Sequence, residues 1–130
     1  MRVFVADGSA MFCRRLERML SELKKTEILG SVQDPTEAVR EIGRLRPDVL
    51  LLDIHLFSGK GLEILKRVRR ERWALFVLIF SDDVSRQYRD RCVRAGADYV
   101  LYKPEAQDKA REILTELLNL LDSAGKEGLT

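Results

Sequence analysis

The chain has 130 residues, of which 45% are hydrophobic and 34% are charged, and its formal net charge is +2 at pH 7. This length suits one domain with a buried core, and the composition is ordinary for a soluble globular protein. So small a net charge gives no argument for direct nucleic-acid contact or for a membrane surface. No stretch reaches the roughly 20 consecutive apolar residues of a membrane span.

The two cysteines, Cys13 and Cys92, fall within predicted helices and have no metal-like spacing. We predict that both are buried reduced thiols. The N-terminus runs directly into a strand pattern and shows no signal-peptide features. These observations favour a cytoplasmic protein.

Five apolar runs alternate with helical patterns, which is typical of βα units on a parallel sheet. A helix cap is expected at Ser9, and another at Asp34 before Pro35. The second strand is less apolar than the others and suits an edge. Right-handed crossovers then favour an α/β fold with a flavodoxin-like, doubly wound five-stranded sheet, strand order 2-1-3-4-5 and five helices. The predicted strands are Arg2–Ala6, Ile28–Gln33, Asp48–Leu52, Leu75–Phe80 and Asp98–Tyr102.

The C-terminal part of the chain predicts a long, leucine-rich fifth helix. We expect the domain to cover residues 1–122 and a flexible tail to cover residues 123–130. Leu117, Leu120 and Leu121 form a leucine edge that is either core or the exposed surface of a homodimer.

A polar residue ends four of the apolar runs: Asp7, Asp53, Ser81 and Lys103. The carboxyl ends of parallel strands lie at one edge of a sheet, so these side chains are expected to meet there. Two carboxylates suit Mg²⁺, which typically binds one or two carboxylates together with water and substrate oxygens. The hydroxyl and the ammonium can contact phosphoryl oxygens, so the set indicates phosphoryl chemistry.

The segments that carry these residues are VFVADGSAMFCRR, RPDVLLLDIHLFSGKGLEIL, VLIFSDDVS and AGADYVLYKP. In this order and spacing they resemble the receiver domain of two-component response regulators over nearly the whole chain. The resemblance implies that Asp53 is the phosphoacceptor, with a sensor histidine kinase or phosphotransfer protein as phosphohistidine donor. It also implies that Asp7 and the backbone carbonyl of His55 help Asp53 to hold Mg²⁺. Ser81 matches the family's switch hydroxyl, and Lys103 matches its phosphate-contacting lysine.

Some positions depart from the family pattern. The family usually has two adjacent acids after the first strand, and here the second position is Gly8. Asp82 follows the switch hydroxyl where a small residue is more common, and we interpret it as a cap of the fourth helix, a replacement carboxylate or an obstacle beside Asp53. Val100 stands where the family has its switch aromatic. In the family the peptide corresponding to Lys103–Pro104 is commonly cis.

Three functions follow as hypotheses. The first is a phosphorylated receiver that catalyses its own phosphorylation and dephosphorylation and signals to an unknown downstream protein, without a separate enzymatic output. The second is a degenerate receiver that binds proteins without phosphorylation, which Gly8 and Val100 favour. The third is an aspartyl phosphohydrolase, which would need a second Asp where His55 stands. The His55 side chain either overhangs the site and influences loss of the phosphoryl group, contributes to metal binding, or is an inert loop residue.

Overall fold

The strands form one parallel sheet in the order β2-β1-β3-β4-β5. The computed structural model describes residues 1–54, 60–83 and 85–128, the last five of them by backbone alone. The flavodoxin-like order predicted from the sequence is confirmed. The strands are β1 (Arg2–Ala6), β2 (Glu27–Val32), β3 (Val49–Asp53), β4 (Phe76–Ser81) and β5 (Tyr99–Tyr102).

Helices follow the strands, and two of them begin at the capping residues predicted from the sequence. The Ser9 hydroxyl accepts a hydrogen bond from the Phe12 amide, and the Asp34 carboxylate accepts one from the Glu37 amide, so both predicted caps are confirmed. Gly96, with a φ of 115°, follows the fourth helix. The helices are α1 (Ala10–Ser21), α2 (Pro35–Leu45), α3 (Gly61–Glu71), α4 (Arg86–Arg94) and α5 (Ala106–Gly128), with a 3-10 helix at Lys103–Glu105.

Two apolar layers cover the central strands. Successive residues of β3 alternate between them: Leu50 and Leu52 pack toward the layer with α2, α3 and α4, whereas Leu51 packs toward the layer with α1 and α5. All five residues of β3 are buried. The long apolar runs of the sequence therefore reflect strands covered on both faces. Cys13 and Cys92 are buried and form no disulfide, as predicted.

Two strand ends differ from the sequence prediction in a way that affects the site. Asp53 and Ser81 are the last residues of β3 and β4, because Asp53 pairs with Phe80 and Ser81 pairs with Tyr102. Asp48 lies outside β3, where its carboxylate accepts a hydrogen bond from the Arg2 amide. Both functional candidates are therefore held by the sheet itself.

The C-terminal helix is longer than the sequence indicated. The helical backbone of α5 runs through Gly128 and includes most of the segment predicted as a tail. Leu117 is buried in the core, which confirms the core alternative for this residue, because its helical spacing from Leu114 keeps it on the sheet-facing side. Leu120 and Leu121 are exposed. The homodimer and the flexibility of the tail stay predictions.

The Lys103–Pro104 peptide is trans, which corrects the expectation of a cis bond. Pro104 lies in the first turn of the short 3-10 helix, where a fixed φ and a missing amide hydrogen are compatible with helical geometry. Within the part of the chain that is described, no helix is long and apolar enough to cross a membrane.

Candidate functional site

Asp53 lies at the carboxyl end of the central strand β3 and is 7% exposed. The next residue, Ile54, continues the sheet by donating its amide hydrogen to the Phe80 carbonyl over 3.1 Å. Gly61 begins α3 directly against the Ile54 backbone, so closely that a Cβ atom there would overlap the Ile54 carbonyl. Glycine at this position therefore permits the close approach of α3 to the end of β3.

Lys103 joins the two carboxylates of the site, although it lies 96 positions from one and 50 from the other. Its Nζ donates to Asp53 Oδ2 over 2.9 Å and to Asp7 Oδ1 over 3.3 Å. The same Nζ lies 3.0 Å from Asp7 Oδ2. The structure thus brings three of the four predicted side chains into direct contact at one edge of the sheet.

Asp7 is the most deeply buried acid of the site, with 1% exposure. Its Oδ1 accepts a hydrogen bond of 2.8 Å from the Ser9 amide, whereas its buried Oδ2 has an ion pair with Lys103 but no hydrogen bond of good geometry. Burial raises the pKa of Asp7 above its ordinary value, and the hydrogen bonds from Ser9 and Lys103 oppose this only in part.

The ammonium of Lys103 is partly shielded from solvent. Burial by itself would lower the pKa of Lys103, but the hydrogen bonds to Asp53 and Asp7, with their negative charges, outweigh it and raise the pKa above its ordinary value. Lys103 therefore stays protonated at neutral pH and supplies a fixed positive charge beside both carboxylates.

Ser81 ends β4 beside Asp53 and is buried. Its hydroxyl accepts a hydrogen bond from the Asp83 amide over 2.9 Å and donates to the Asp83 carbonyl over 3.1 Å. The hydroxyl therefore stabilises the turn after β4 in this state. To donate to a phosphoryl oxygen it has to exchange the bond to Asp83.

The departures from the family pattern also have structural outcomes. Asp82 is exposed and lines a cleft together with Lys103, whereas the cap of α4 is Ser85, whose hydroxyl accepts from the Tyr88 amide. The capping interpretation of Asp82 is therefore wrong, because the helix begins later than expected. Val100 is half-buried and packs against the core layer with α2, α3 and α4.

One contact of the site was not anticipated from the sequence. The Phe12 ring lies below the Lys103 ammonium, with Nζ 4.7 Å from the ring centroid. Phe12 is partly buried on the core-facing side of α1. Its position in the first turn of a helix that begins at the carboxyl edge was the available signal for a place near the site.

A metal site can be tested on the donor set. Among the described residues no three His, Cys, Asp or Glu side chains form a metal-binding group. The acids in contact with Lys103 are Asp7 and Asp53. Two carboxylates fit Mg²⁺, which completes its octahedron with water and substrate oxygens. The buried Asp7 Oδ2, which lacks a hydrogen bond, is a suitable ligand atom. His55, whose carbonyl was predicted as a further ligand, lies outside the described residues.

Comparisons with known proteins give a family and an architecture. The family model described as the response regulator receiver domain matches residues 3–115. A protein-glutamate methylesterase/protein-glutamine glutaminase 1 of Methanospirillum hungatei is 32% identical over 118 residues, which cover 89% of this chain and 34% of that protein. The corresponding Bacillus subtilis protein is 28% identical over 131 residues, which cover 98% of this chain and 36% of its own. The chain therefore spans about a third of the length of these relatives.

Solved structures agree in fold. The response regulator domain of Thermotoga maritima CheB superposes with a TM-score of 0.78 at 24% identity, covering 92% of this chain and 94% of that one. The signal receiver domain of the DNA-binding response regulator merR from Colwellia psychrerythraea gives a TM-score of 0.83 at 19% identity, covering 92% and 98%. Since the family match extends over residues 3–115 and the sheet has the same architecture, this chain belongs to the response regulator receiver domain family of two-component signalling.

Proposed function

We propose that Asp53 is the phosphoacceptor of this receiver. The observation that carries the proposal is the contact of 2.9 Å between Lys103 Nζ and Asp53 Oδ2, at the carboxyl end of the central strand and beside a second carboxylate. A carboxylate is a weak nucleophile toward phosphorus, and a fixed cation at the reacting oxygen offsets the repulsion of an anionic phosphoryl group.

In the proposed transfer, an Asp53 oxygen attacks the phosphorus of a phosphohistidine on a sensor kinase or phosphotransfer protein. The new O–P bond forms as the N–P bond breaks, and the imidazole leaves with its electron pair. Lys103 then contacts a phosphoryl oxygen. Ser81 donates to another after its hydroxyl exchanges the bond to the Asp83 carbonyl. Both side chains stabilise charge spread over the equatorial oxygens.

We further propose that Asp7 and Asp53 hold Mg²⁺, with the backbone carbonyl of His55 as a third ligand. The metal supplies positive charge that offsets the negative charge of the carboxylates and the phosphoryl oxygens. Gly8 leaves this site with one carboxylate fewer than the usual family pattern, so we propose that this receiver binds the metal weakly. Loss of a nearby charge costs on the order of 1–3 kcal/mol.

The other hypotheses fit the site less well. A purely phosphorylation-independent binding module does not require an acceptor carboxylate paired with Lys103, so it is not favoured. The methylesterase and glutaminase activities in the names of the relatives belong to those longer proteins. We also propose that a sensor kinase or phosphotransfer protein is the phosphoryl donor of this chain and that a downstream protein receives its signal. We propose a cytoplasmic location for it.

The test is mass spectrometry of the full chain after incubation with acetyl phosphate and Mg²⁺. We expect the wild-type protein to gain one phosphoryl group and Asp53→Asn to gain none. Asp90→Asn changes an exposed carboxylate on α4 and serves as the matched control, which should gain the group as the wild type does. An unmodified wild-type protein, or equal modification of Asp53→Asn, would contradict the proposal.

A further inference from the structure

The ammonium of Lys103 is held on two sides by different kinds of partner. The Asp7 and Asp53 carboxylates accept its hydrogen bonds, and the face of the Phe12 ring lies 4.7 Å from Nζ. An ammonium at this distance from an aromatic face is attracted by the negative region of the ring. The ring also fills space into which the flexible lysine side chain would otherwise move.

Phe12 is itself fixed in place. Its backbone amide donates to the Ser9 hydroxyl that caps α1, which locks the first turn of the helix. Its ring packs edge-to-face on Phe80, with 5.4 Å between centroids and 84° between planes. Phe80 is fully buried in β4 and immediately precedes Ser81. Phe12 is therefore held rigidly against the core. An edge-to-face aromatic pair of this kind adds stabilising free energy beyond that of its buried area.

A cleft beside the site offers the Lys103 side chain an alternative position. Lys103 and Phe12 line it, and Asp82 lies on its wall. Asp82 is exposed, so its carboxylate is accessible from this cleft. With the ring removed, an ammonium on a four-carbon stem is free to turn from the buried carboxylates toward Asp82.

We infer that Phe12 is a positioning residue for Lys103: its ring holds the ammonium over Asp7 and Asp53 and away from the cleft with Asp82. The inference rests on the proposed phosphoacceptor function and adds a residue to it. Phe12 acts on phosphoryl transfer only through Lys103. A small aliphatic side chain in its place should therefore slow phosphorylation without changing the acceptor.

The experiment compares Phe12→Leu with Phe12→Tyr in the full chain. Initial rates of phosphorylation by acetyl phosphate should fall roughly 2- to 10-fold in Phe12→Leu and stay within about 2-fold of wild type in Phe12→Tyr, which keeps the ring. Phe76→Leu is the matched control: Phe76 is half-buried against the same core layer, at the opposite end of β4. It should leave the rate unchanged.

A spectroscopic readout separates positioning from general structure. The Lys103 ammonium lies over the aromatic face, so we expect the NMR signals of the adjoining ε-methylene protons to be shifted upfield in wild type, Phe12→Tyr and Phe76→Leu. The shift should disappear in Phe12→Leu. In a Lys103→Ala background, Phe12→Leu should cause no further loss of rate, because the residue through which it acts is gone.

A wild-type rate in Phe12→Leu would overturn the inference, as would an unshifted Lys103 signal in the wild type or an equal further loss in the Lys103→Ala background. If Phe12→Leu does not fold, Phe12→Met, which retains an apolar side chain without a ring, gives the same comparison. Failure of the proposed function has another signature: no Asp53-dependent phosphorylation of the wild type at all. The Lys103 signal then still decides whether Phe12 positions the lysine.

Discussion

Aspartates stand at both ends of this sheet, but their surroundings differ. Asp48 and Asp98 precede β3 and β5 at the amino edge, where their carboxylates accept hydrogen bonds from the backbone amides of Arg2 and Val77. The guanidinium of Arg69 also binds Asp98. These acids connect neighbouring strands through hydrogen bonds to backbone amides, and these bonds stabilise the fold.

The carboxyl edge is satisfied less completely. Asp7 and Asp53 share one ammonium, and a buried oxygen of Asp7 has no hydrogen bond of good geometry. The acids of the amino edge accept hydrogen bonds from backbone amides of a neighbouring strand, whereas the two acids of the carboxyl edge are joined by a side-chain ammonium. The comparison teaches that the same residue type is structural at one end of the sheet and suited to chemistry at the other, according to how its oxygens are satisfied.

The largest expected effect comes from replacing Asp53 at the carboxyl edge. Asp53→Asn should abolish phosphorylation, because the amide oxygen is not a competent nucleophile, while leaving the free energy of unfolding close to that of the wild type or higher. Phosphate incorporation and urea unfolding measure the two quantities on the same sample. A variant that unfolds much more easily than the wild type would show that Asp53 is structural, like the acids at the amino edge.

The second prediction increases the negative charge of the carboxyl edge. Gly8→Asp should raise the apparent affinity for Mg²⁺ by roughly 10- to 100-fold, since a carboxylate within a few ångströms contributes about 1–3 kcal/mol. Isothermal titration calorimetry measures this directly. Ala10→Asp adds the same charge at an exposed position in the first turn of α1 and should have a much smaller effect. Equal affinities of Gly8→Asp and the wild type would refute the prediction.

The third prediction concerns Asp98 at the amino edge. Asp98→Ala removes the acceptor of the partly buried Val77 amide and the partner of Arg69, so it should lower the free energy of unfolding by about 1–3 kcal/mol. Phosphorylation by acetyl phosphate should persist. Asp90→Ala, at an exposed position on α4, should change the free energy by less than about 0.5 kcal/mol. A loss of phosphorylation in folded Asp98→Ala would erase the distinction between the two edges.

The smallest expected effect concerns pH. Burial raises the native pKa of Asp7 above the ordinary value of 3.8. At pH values between the ordinary pKa and the raised native pKa, the folded protein therefore binds more protons than the unfolded protein. The contribution of Asp7 to stability therefore falls as pH rises from about the ordinary value through the raised native pKa. The side chain at position 7 does not titrate in Asp7→Asn. The free energy of unfolding of this variant relative to that of the wild type should therefore increase as pH rises over this interval and then level off.

Urea unfolding in metal-free buffer across this pH range measures the difference between Asp7→Asn and the wild type. Lys103→Gln on its own removes the neighbouring cation and serves as a control for loss of the ion pair. A difference between Asp7→Asn and wild type that is flat or decreases with pH would contradict the assignment.

Local sequence signals determined where the elements lie and which residues end them. The apolar runs predicted the strands within a residue or so, and Ser9 and Asp34 predicted two helix starts, because caps and periodicity depend on neighbours along the chain. The position of Asp7, Asp53 and Ser81 at one edge followed from the strand order. For these features the fold adds little that a short window of sequence does not contain.

Tertiary structure decided the contacts between distant residues. Nothing local indicates that one ammonium, Lys103, is shared by Asp7 and Asp53 or lies over the Phe12 ring, since these contacts need α1, β3 and β5 to be packed together. It also decided that Leu117 is core, that the Asp48 carboxylate accepts the Arg2 amide and that the Asp53 carboxylate accepts the Lys103 ammonium. Burial and hydrogen-bond satisfaction arise only when separate segments meet, and they distinguish residues that the sequence alone makes look equivalent.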